Sequence, residues 1–191
     1  QVRVPASRAR RTVAVTYARP TFCRAEGPQV YAWGDNTYGQ LGVDGLDLRA
    51  RPGAVPLIRG LTRVTGSAHT VHGVCANGTV WSWGRNGEGL LGRTLSGDRR
   101  WPVKAQGISG AVDVAANLNT AYALRGNGEV WAWGSNRYGQ LGNGASGVGQ
   151  RSAVPVKVQI PVKIRAIAAG GYTAYAVAED GSVYVWGNTG S

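Results

Sequence analysis

The sequence predicts an all-β fold assembled from tandem repeats, and two observations support this prediction. First, a short phrase ending in Trp-Gly recurs at a spacing of roughly 50 residues, a period that marks repeat architectures. Second, the apolar residues fall in short runs, and no window shows the 3.6-residue apolar stripe of a long helix. The four phrases occupy residues 30–34, 80–84, 130–134 and 183–187.

Each of the last three phrases is predicted to be the second strand of a β-hairpin. Asn77-Gly78, Asn127-Gly128 and Asp180-Gly181 precede these phrases. Such dipeptides between apolar runs predict type I′ turns, in which both central residues have positive φ. The predicted hairpins join 69–74 to 79–83, 120–124 to 129–133, and 173–177 to 182–186.

Two further short runs complete a cassette. One contains proline, at 101–104 and 154–158, and the other follows it at 111–115 and 164–168. Because proline cannot donate a hydrogen bond to a neighbouring strand, the first run is predicted at the edge of its sheet. Four short antiparallel strands per cassette are typical of one blade of a β-propeller. We therefore predict a partial propeller of four-stranded antiparallel blades, with about three full blades and partial ones beside them.

The repeat divides the chain into units of a single propeller domain. We expect a degenerate partial repeat at 1–29 and the start of a truncated fourth repeat at 183–191. The three repeats between them are expected at 30–79, 80–129 and 130–182. Within 1–29, residues 2–5 match the proline-containing strand, 12–15 match the next strand, and 18–27 match a degraded half of a hairpin.

The cassette also contains a glycine loop after the Trp-Gly phrase. It reads Asn-x-x-Gly-Gln-Leu-Gly at 36–42 and 136–142. Together with a His-Thr strand opening, the Asn-Gly turn and the aromatic-x-Trp-Gly strand, it resembles the regulator of chromosome condensation repeat family over about 30–191. The chain departs from that pattern at Leu90, Asn119 and Tyr172. The resemblance implies a propeller that usually has seven blades, on the order of 350 residues, so the 191 residues are expected to form an arc.

The recurring tryptophans and glycines are predicted to be structural. Their identical position in every cassette favours burial of the tryptophans between blades over a role in ligand binding, because large buried aromatic side chains dominate core energetics. These structural residues are Trp33, Trp83, Trp133, Trp186, Gly34, Gly84, Gly134 and Gly187.

The stretches that differ between cassettes are the better candidates for binding. They are 43–51, 93–100 and 143–153, and variable loops on a rigid scaffold are where function is usually found. Arginine offers planar donors suited to carboxylate or phosphate groups. The candidate rim for an acidic partner is formed by Arg93, Arg99, Arg100 and Arg151.

No catalytic, cofactor or metal site is predicted, and the protein is not expected to be an enzyme. Residues 87–92 fit G-x-G-x-x-G, but no helix follows to bind a pyrophosphate, so they are interpreted as a repeat turn. His69 and His72 lie in a predicted strand on opposite faces, which argues against a shared metal. The resemblance implies that His69 forms hydrogen bonds within its blade.

Cys23 and Cys75 do not occupy equivalent repeat positions. Two interpretations are compatible with their spacing: a disulfide between neighbouring blades, or two buried free thiols. We expect free thiols, because an unpaired cysteine behaves as a small buried apolar residue.

The formal net charge is +11. Such a surface attracts phosphate backbones, but ordinary arginine usage in a sequence rich in Arg, Ala and Gly is the preferred explanation. The aromatic residues belong to the strands, so a groove that stacks bases is not predicted. Neither a signal peptide nor a run of membrane-spanning length is visible, and cytoplasmic, nuclear and secreted locations are all compatible with the sequence.

The sequence thus predicts a binding scaffold that contacts a protein partner through its variable rim loops. The resemblance implies an alternative, a guanine-nucleotide exchange factor for a small GTPase that associates with chromatin. A secreted bacterial binding or inhibitor propeller is a further candidate. Because an arc of blades leaves apolar faces uncovered, the chain alone is expected to self-associate.

Overall fold

The computed structural model describes residues 22–23 and 27–190, and within this part of the chain all regular structure is β-strand. The strands are β1 Phe22–Cys23, β2 Gln29–Gly34, β3 Arg49–Arg59, β4 Leu61–Gly66, β5 Thr70–Cys75, β6 Val80–Gly84, β7 Arg99–Lys104, β8 Ala111–Ala116, β9 Thr120–Arg125, β10 Val130–Ser135, β11 Arg151–Lys157, β12 Ile164–Gly170, β13 Thr173–Ala178 and β14 Val183–Gly187.

These strands form four sheets. Their orders are β1-β3-β2, β4-β5-β6-β7, β8-β9-β10-β11 and β12-β13-β14. Consecutive sheets pack face to face, and the strands β4, β8 and β12 lie next to one another at the inner edge. Sheets arranged around an inner edge in this way are the blades of a propeller. The predicted partial propeller is confirmed, with four strands in the second and third blades and three in the first and fourth.

The two strands predicted from their prolines to lie at an edge, at 101–104 and 154–158, do lie there, whereas β3, which contains Pro52 and Pro56, lies between β1 and β2. β7 and β11 each pair with one neighbour only and form the outer edge of their blades. The hairpins are also confirmed in position, but their turns differ from the predicted type. Gly78 has φ of +73°, whereas Asn77 does not have positive φ, and Gly78 N donates to Cys75 O over 2.8 Å. This is a three-residue connection that ends in a left-handed glycine, not a type I′ turn.

The core lies between the blades. Trp83 packs with Val55 and Ile58 between the first and second blades. Trp133 packs with Val74 and Ala123 between the second and third. Trp83 and Trp133 are 1% and 0% exposed, so the prediction of burial is confirmed for these two side chains.

The prediction of burial between blades is wrong for Trp33, because 61% of its surface is exposed. Trp83 and Trp133 are each covered by the glycine loop of the preceding cassette. The part of the chain that the structure describes contains no such loop before Trp33. Burial of the repeated tryptophan therefore depends on a neighbouring blade and does not follow from the motif alone.

The two cysteines form a disulfide, so the prediction of two free thiols was wrong. Cys23 and Cys75 have their Cα atoms 5.3 Å apart, a separation typical of a disulfide. β1 pairs in parallel with the end of β3, opposite Ile58 and Arg59, and Cys23 packs against the core between the first two blades. The bond links these blades covalently.

The pairing of β1 with β3 also tests the prediction that residues 18–27 form a degraded half of a hairpin. The matches at 2–5 and 12–15 lie outside the described residues. Of the stretch 18–27, Phe22 and Cys23 form a parallel strand beside β3 and do not form a hairpin with β2. The predicted half-hairpin is therefore wrong for these two residues.

Candidate binding rim

Strand pairing places two different kinds of connection on the two edges of each blade. In the second blade, Thr70 pairs with Gly84, and Gly84 pairs with Arg99. This edge, which we call the loop rim, carries the turns 67–69 and 117–119 and the long connections 85–98 and 136–150. The opposite edge, the turn rim, carries the hairpin turns 76–79 and 126–129 and the connections 105–110 and 158–163.

Each long connection starts from a rigid glycine loop. In the second blade the buried Asn86 side chain accepts a hydrogen bond from Leu91 N over 3.1 Å and donates one to Leu95 O over 2.9 Å. Asn36 and Asn136 make the same two kinds of contact in their own loops. Buried amides satisfied in this way fix the loop conformation, so the variable residues extend from a stable base.

The G-x-G-x-x-G segment is part of this loop, and its interpretation as a repeat turn is confirmed. Gly89 has φ of +79°, and a Cβ on it would lie 2.7 Å from the Cα of Ala153 in the third blade. Glycine is required here because two blades approach each other at this point. The loop leads into β7, a strand.

The four predicted arginines lie on the loop rim of two neighbouring blades. Arg93, Arg99 and Arg100 belong to the second blade, and Arg151 begins the last strand of the third. The guanidinium of Arg99 donates to the carbonyl of Asp98 over 3.0 Å. Within 22–23 and 27–190, none of the four forms an ion pair with an acidic side chain. Their charges are therefore available to a partner.

Aromatic rings form a second feature of the loop rim. The ring of Tyr38 lies 4.7 Å from that of His69, and the guanidinium carbon of Arg85 lies 5.3 Å from the centre of the Tyr38 ring. The rings of Tyr138 and Tyr172 lie 5.2 Å apart. In both pairs, a glycine-loop tyrosine contacts the turn that opens the following blade.

The two histidines differ from each other. His69 lies in the turn before β5, and no hydrogen bond to its ring is found among the described residues; its Nδ1 is buried. The hydrogen-bonding role implied by the resemblance was therefore wrong, because the ring packs on Tyr38. His72 is fully buried, its Nδ1 forms a hydrogen bond of 2.9 Å with Ser82 Oγ, and burial lowers its pKa from 6.5 to about 3. It is a neutral core residue.

The described residues show neither a metal-binding cluster nor a membrane-spanning helix. Residues 22–23 and 27–190 contain no group of three or more His, Cys, Asp or Glu side chains arranged to hold a metal ion. The same part of the chain has no helix long and apolar enough to cross a bilayer.

Comparison with protein families decides the assignment of the fold. A model of the regulator of chromosome condensation (RCC1) repeat matches residues 29–73, 77–120 and 127–177, which together make up more than half of the chain. A second model with the same description matches 111–140 and 164–191. The chain belongs to the RCC1 repeat family.

Solved structures share the RCC1-repeat fold. Human WBSCR16 superposes with a TM-score of 0.74 at 24% identity, covering 85% of this chain and 43% of its own. Yeast RCC1 (Prp20) bound to Kap60 gives 0.72 at 22% identity, covering 84% and 40%. Prp20p from Saccharomyces cerevisiae, whose structure was described together with its binding properties to Gsp1p and histones, superposes with a TM-score of 0.71 at 22% identity. The match covers 83% of this chain and 41% of Prp20p. The chain thus spans about 40% of the length of these proteins. Among curated proteins, none shows significant similarity to it.

Sequence reasoning did not single out several residues of the loop rim as candidates. Tyr38, Arg85 and Tyr172 contact rings on the rim, and Glu88 takes the position of the repeat's tyrosine in the second RCC1 repeat. The sequence does contain one indication of these residues, because the second glycine loop, at 86–92, differs from the loops at 36–42 and 136–142. Which turn each loop meets depends on the neighbouring blade, so the consequence of that departure is visible only in the structure.

Proposed function

We propose that this RCC1-repeat chain is a non-catalytic scaffold that binds a protein partner through its loop rim. The observation that carries the proposal is a set of four arginines that form no ion pair among the described residues. They lie on loops held by buried asparagines or in the strands that directly follow these loops, and they are Arg93, Arg99, Arg100 and Arg151.

The distribution of differences between the blades supports this choice of rim. The strands and glycine loops repeat, whereas 93–100 and 143–153 differ in length and charge. A partner without internal symmetry can recognise a unique surface only where blades differ. Rigid presentation also reduces the entropy lost on binding.

The chemistry of the loop rim favours an acidic partner surface. Guanidinium groups bind carboxylates through two parallel hydrogen bonds. Electrostatic complementarity of this kind acts mainly on association rate and specificity. Yeast Prp20, which shares the fold, is named in its structures together with the proteins Kap60, Gsp1p and histones, so propellers of this fold do bind proteins.

The proposal is tested by reversing charge on one rim at a time. We expect Arg99→Glu with Arg100→Glu to slow association with a partner captured by cross-linking from an extract of the source organism and identified by mass spectrometry. The rate should also lose most of its dependence on salt concentration. The matched control is Lys104→Glu with Lys163→Glu, which makes the same change in net charge at the turn rim, on exposed side chains.

Equal loss of binding in the two double variants would show a response to net charge and contradict the proposal. A 20-base-pair DNA duplex tested in parallel separates nucleic-acid binding, which would show a steep salt dependence without a protein partner. Guanine-nucleotide exchange is the alternative prediction. It requires that the chain retain a small GTPase in a pull-down only when that GTPase is nucleotide-free.

A further inference from the structure

The second RCC1 repeat interrupts the aromatic pattern of the loop rim. In the first and third repeats, Tyr38 and Tyr138 lie against His69 and Tyr172 of the following blade. The equivalent pair in the second repeat is Glu88 and Asn119. Neither of these two residues carries a ring, and a recess of about 300 Å³ lies at this position.

The recess draws its walls from three blades. Its polar and charged lining residues are His69, Thr70, Arg85, Glu88, Asn119 and Tyr172. Because they come from the turns at the inner edge and from the second glycine loop, the recess opens on the loop rim. It is large enough for one long side chain, at the lower limit for small-ligand sites.

Two residues that line the recess each carry a polar group without a partner among the described residues. The carboxylate of Glu88, which is partly buried, makes no hydrogen bond or ion pair there. The Nδ1 atom of His69 is buried and also lacks a hydrogen bond. Arg85 does not pair with Glu88, since its guanidinium lies over Tyr38. A partly desolvated carboxylate without a partner favours a cationic ligand.

We propose that this recess binds an arginine side chain of the protein partner. A guanidinium can donate two hydrogen bonds to the Glu88 carboxylate and stack on the Tyr172 ring. An acidic partner surface with one projecting arginine would then match both the rim arginines and the recess. This inference rests on the proposed function, which supplies a protein as the partner. The arginine side chain in the recess would fix the position of that protein on the loop rim.

The probe is Nα-acetyl-arginine methylamide, added to the isotope-labelled chain and followed by NMR. Resonances of 85–90, 118–119 and 172 should shift. Glu88→Gln, which keeps the shape and removes the charge, should weaken binding by about fivefold or more. Glu88→Tyr restores the side chain of the other repeats and should abolish binding without lowering the melting temperature. Glu179→Gln is the matched control, because Glu179 is exposed at the turn rim, and it should bind as the wild type does.

Three results would overturn the inference: unchanged affinity in Glu88→Gln, equal affinity for Nα-acetyl-tyrosine methylamide, or no shift around the recess. The test is independent of the rim arginines. The Arg99→Glu, Arg100→Glu variant should bind the arginine probe as well as the wild type does, because neither arginine lines the recess. Loss of partner binding in that variant therefore tests the proposed function. Loss of probe binding in the wild type would contradict only the inference about the recess.

Discussion

The indole nitrogen of Trp133 donates a hydrogen bond to the carbonyl oxygen of Leu90, 2.8 Å away in the glycine loop of the preceding blade. Trp83 donates in the same way to Gln40, and Trp186 to Gln140. The second, third and fourth blades therefore each satisfy the indole of the repeated tryptophan through the blade before it. This contact explains why the tryptophan and the glycine loop occur together in every complete cassette.

The tryptophan contact predicts unequal effects of one substitution at two repeat positions. Trp83→Ala should lower the free energy of unfolding by roughly 3–5 kcal/mol, since it leaves a cavity between two blades. Trp33→Ala, at an exposed equivalent position, should cost less than about 1 kcal/mol. Denaturant unfolding measures both values. Equal losses would contradict the burial described for the two side chains.

His72 predicts a pH dependence of stability. Burial lowers its pKa from 6.5 to about 3, so below pH 6.5 the unfolded chain binds a proton that the folded chain does not. Stability should therefore fall as the pH decreases from 6.5, with a slope approaching about 1.4 kcal/mol per pH unit. Measurements down to about pH 5 stay above the range of most carboxyl groups.

The control for this effect is the other histidine. His72→Gln should remove the slope, whereas His69→Gln should retain the part that His72 contributes. An unchanged slope in His72→Gln would mean that the ring is protonated in the folded state.

Because Cys23 and Cys75 form a disulfide, we expect substitutions of the two cysteines to have non-additive effects on stability. Cys23 and Cys75 are separated by 52 residues, and closing a loop of that length stabilises a fold by roughly 4 kcal/mol in the chain-entropy model. Cys23→Ser and Cys75→Ser should each lower stability, and the double variant should lose no more than the more harmful single variant. Two titratable thiols in the unreduced, denatured wild type would contradict the bond.

The uncovered faces of the outer blades predict self-association of the 191-residue chain. Val183 and Val185 on β14 are 63% and 49% exposed, and Trp33 is 61% exposed in the first blade. Adjacent exposed apolar side chains favour association. Sedimentation equilibrium should show oligomers, and Val183→Lys with Val185→Lys should shift the average mass toward the monomer. A monodisperse monomeric wild type would refute this expectation.

The blades and hairpins were predictable because their signals are local in the sequence. The Asn77-Gly78 dipeptide specifies a connection between adjacent strands, and the proline at 102 favours the edge of a sheet. The turn type was not predictable in the same way. Gly78 alone supplies the positive φ, and the preceding asparagine keeps an ordinary conformation.

The features that the sequence did not predict depend on what a neighbouring blade presents. Trp33 carries the full motif and is exposed because no described loop covers it. Cys23 meets Cys75 through a parallel strand pair that no local pattern indicates. The recess exists because Glu88 faces the turn of another repeat, so neither position predicts it alone.

The most direct test of the central proposal is amide hydrogen exchange of the chain, free and bound to its captured partner. Binding at the loop rim predicts slower exchange at 85–100, 117–119 and 136–150, with the hairpin turns 76–79 and 126–129 unchanged. Protection confined to those hairpin turns and the connections 105–110 and 158–163 would place the partner on the turn rim and contradict the account.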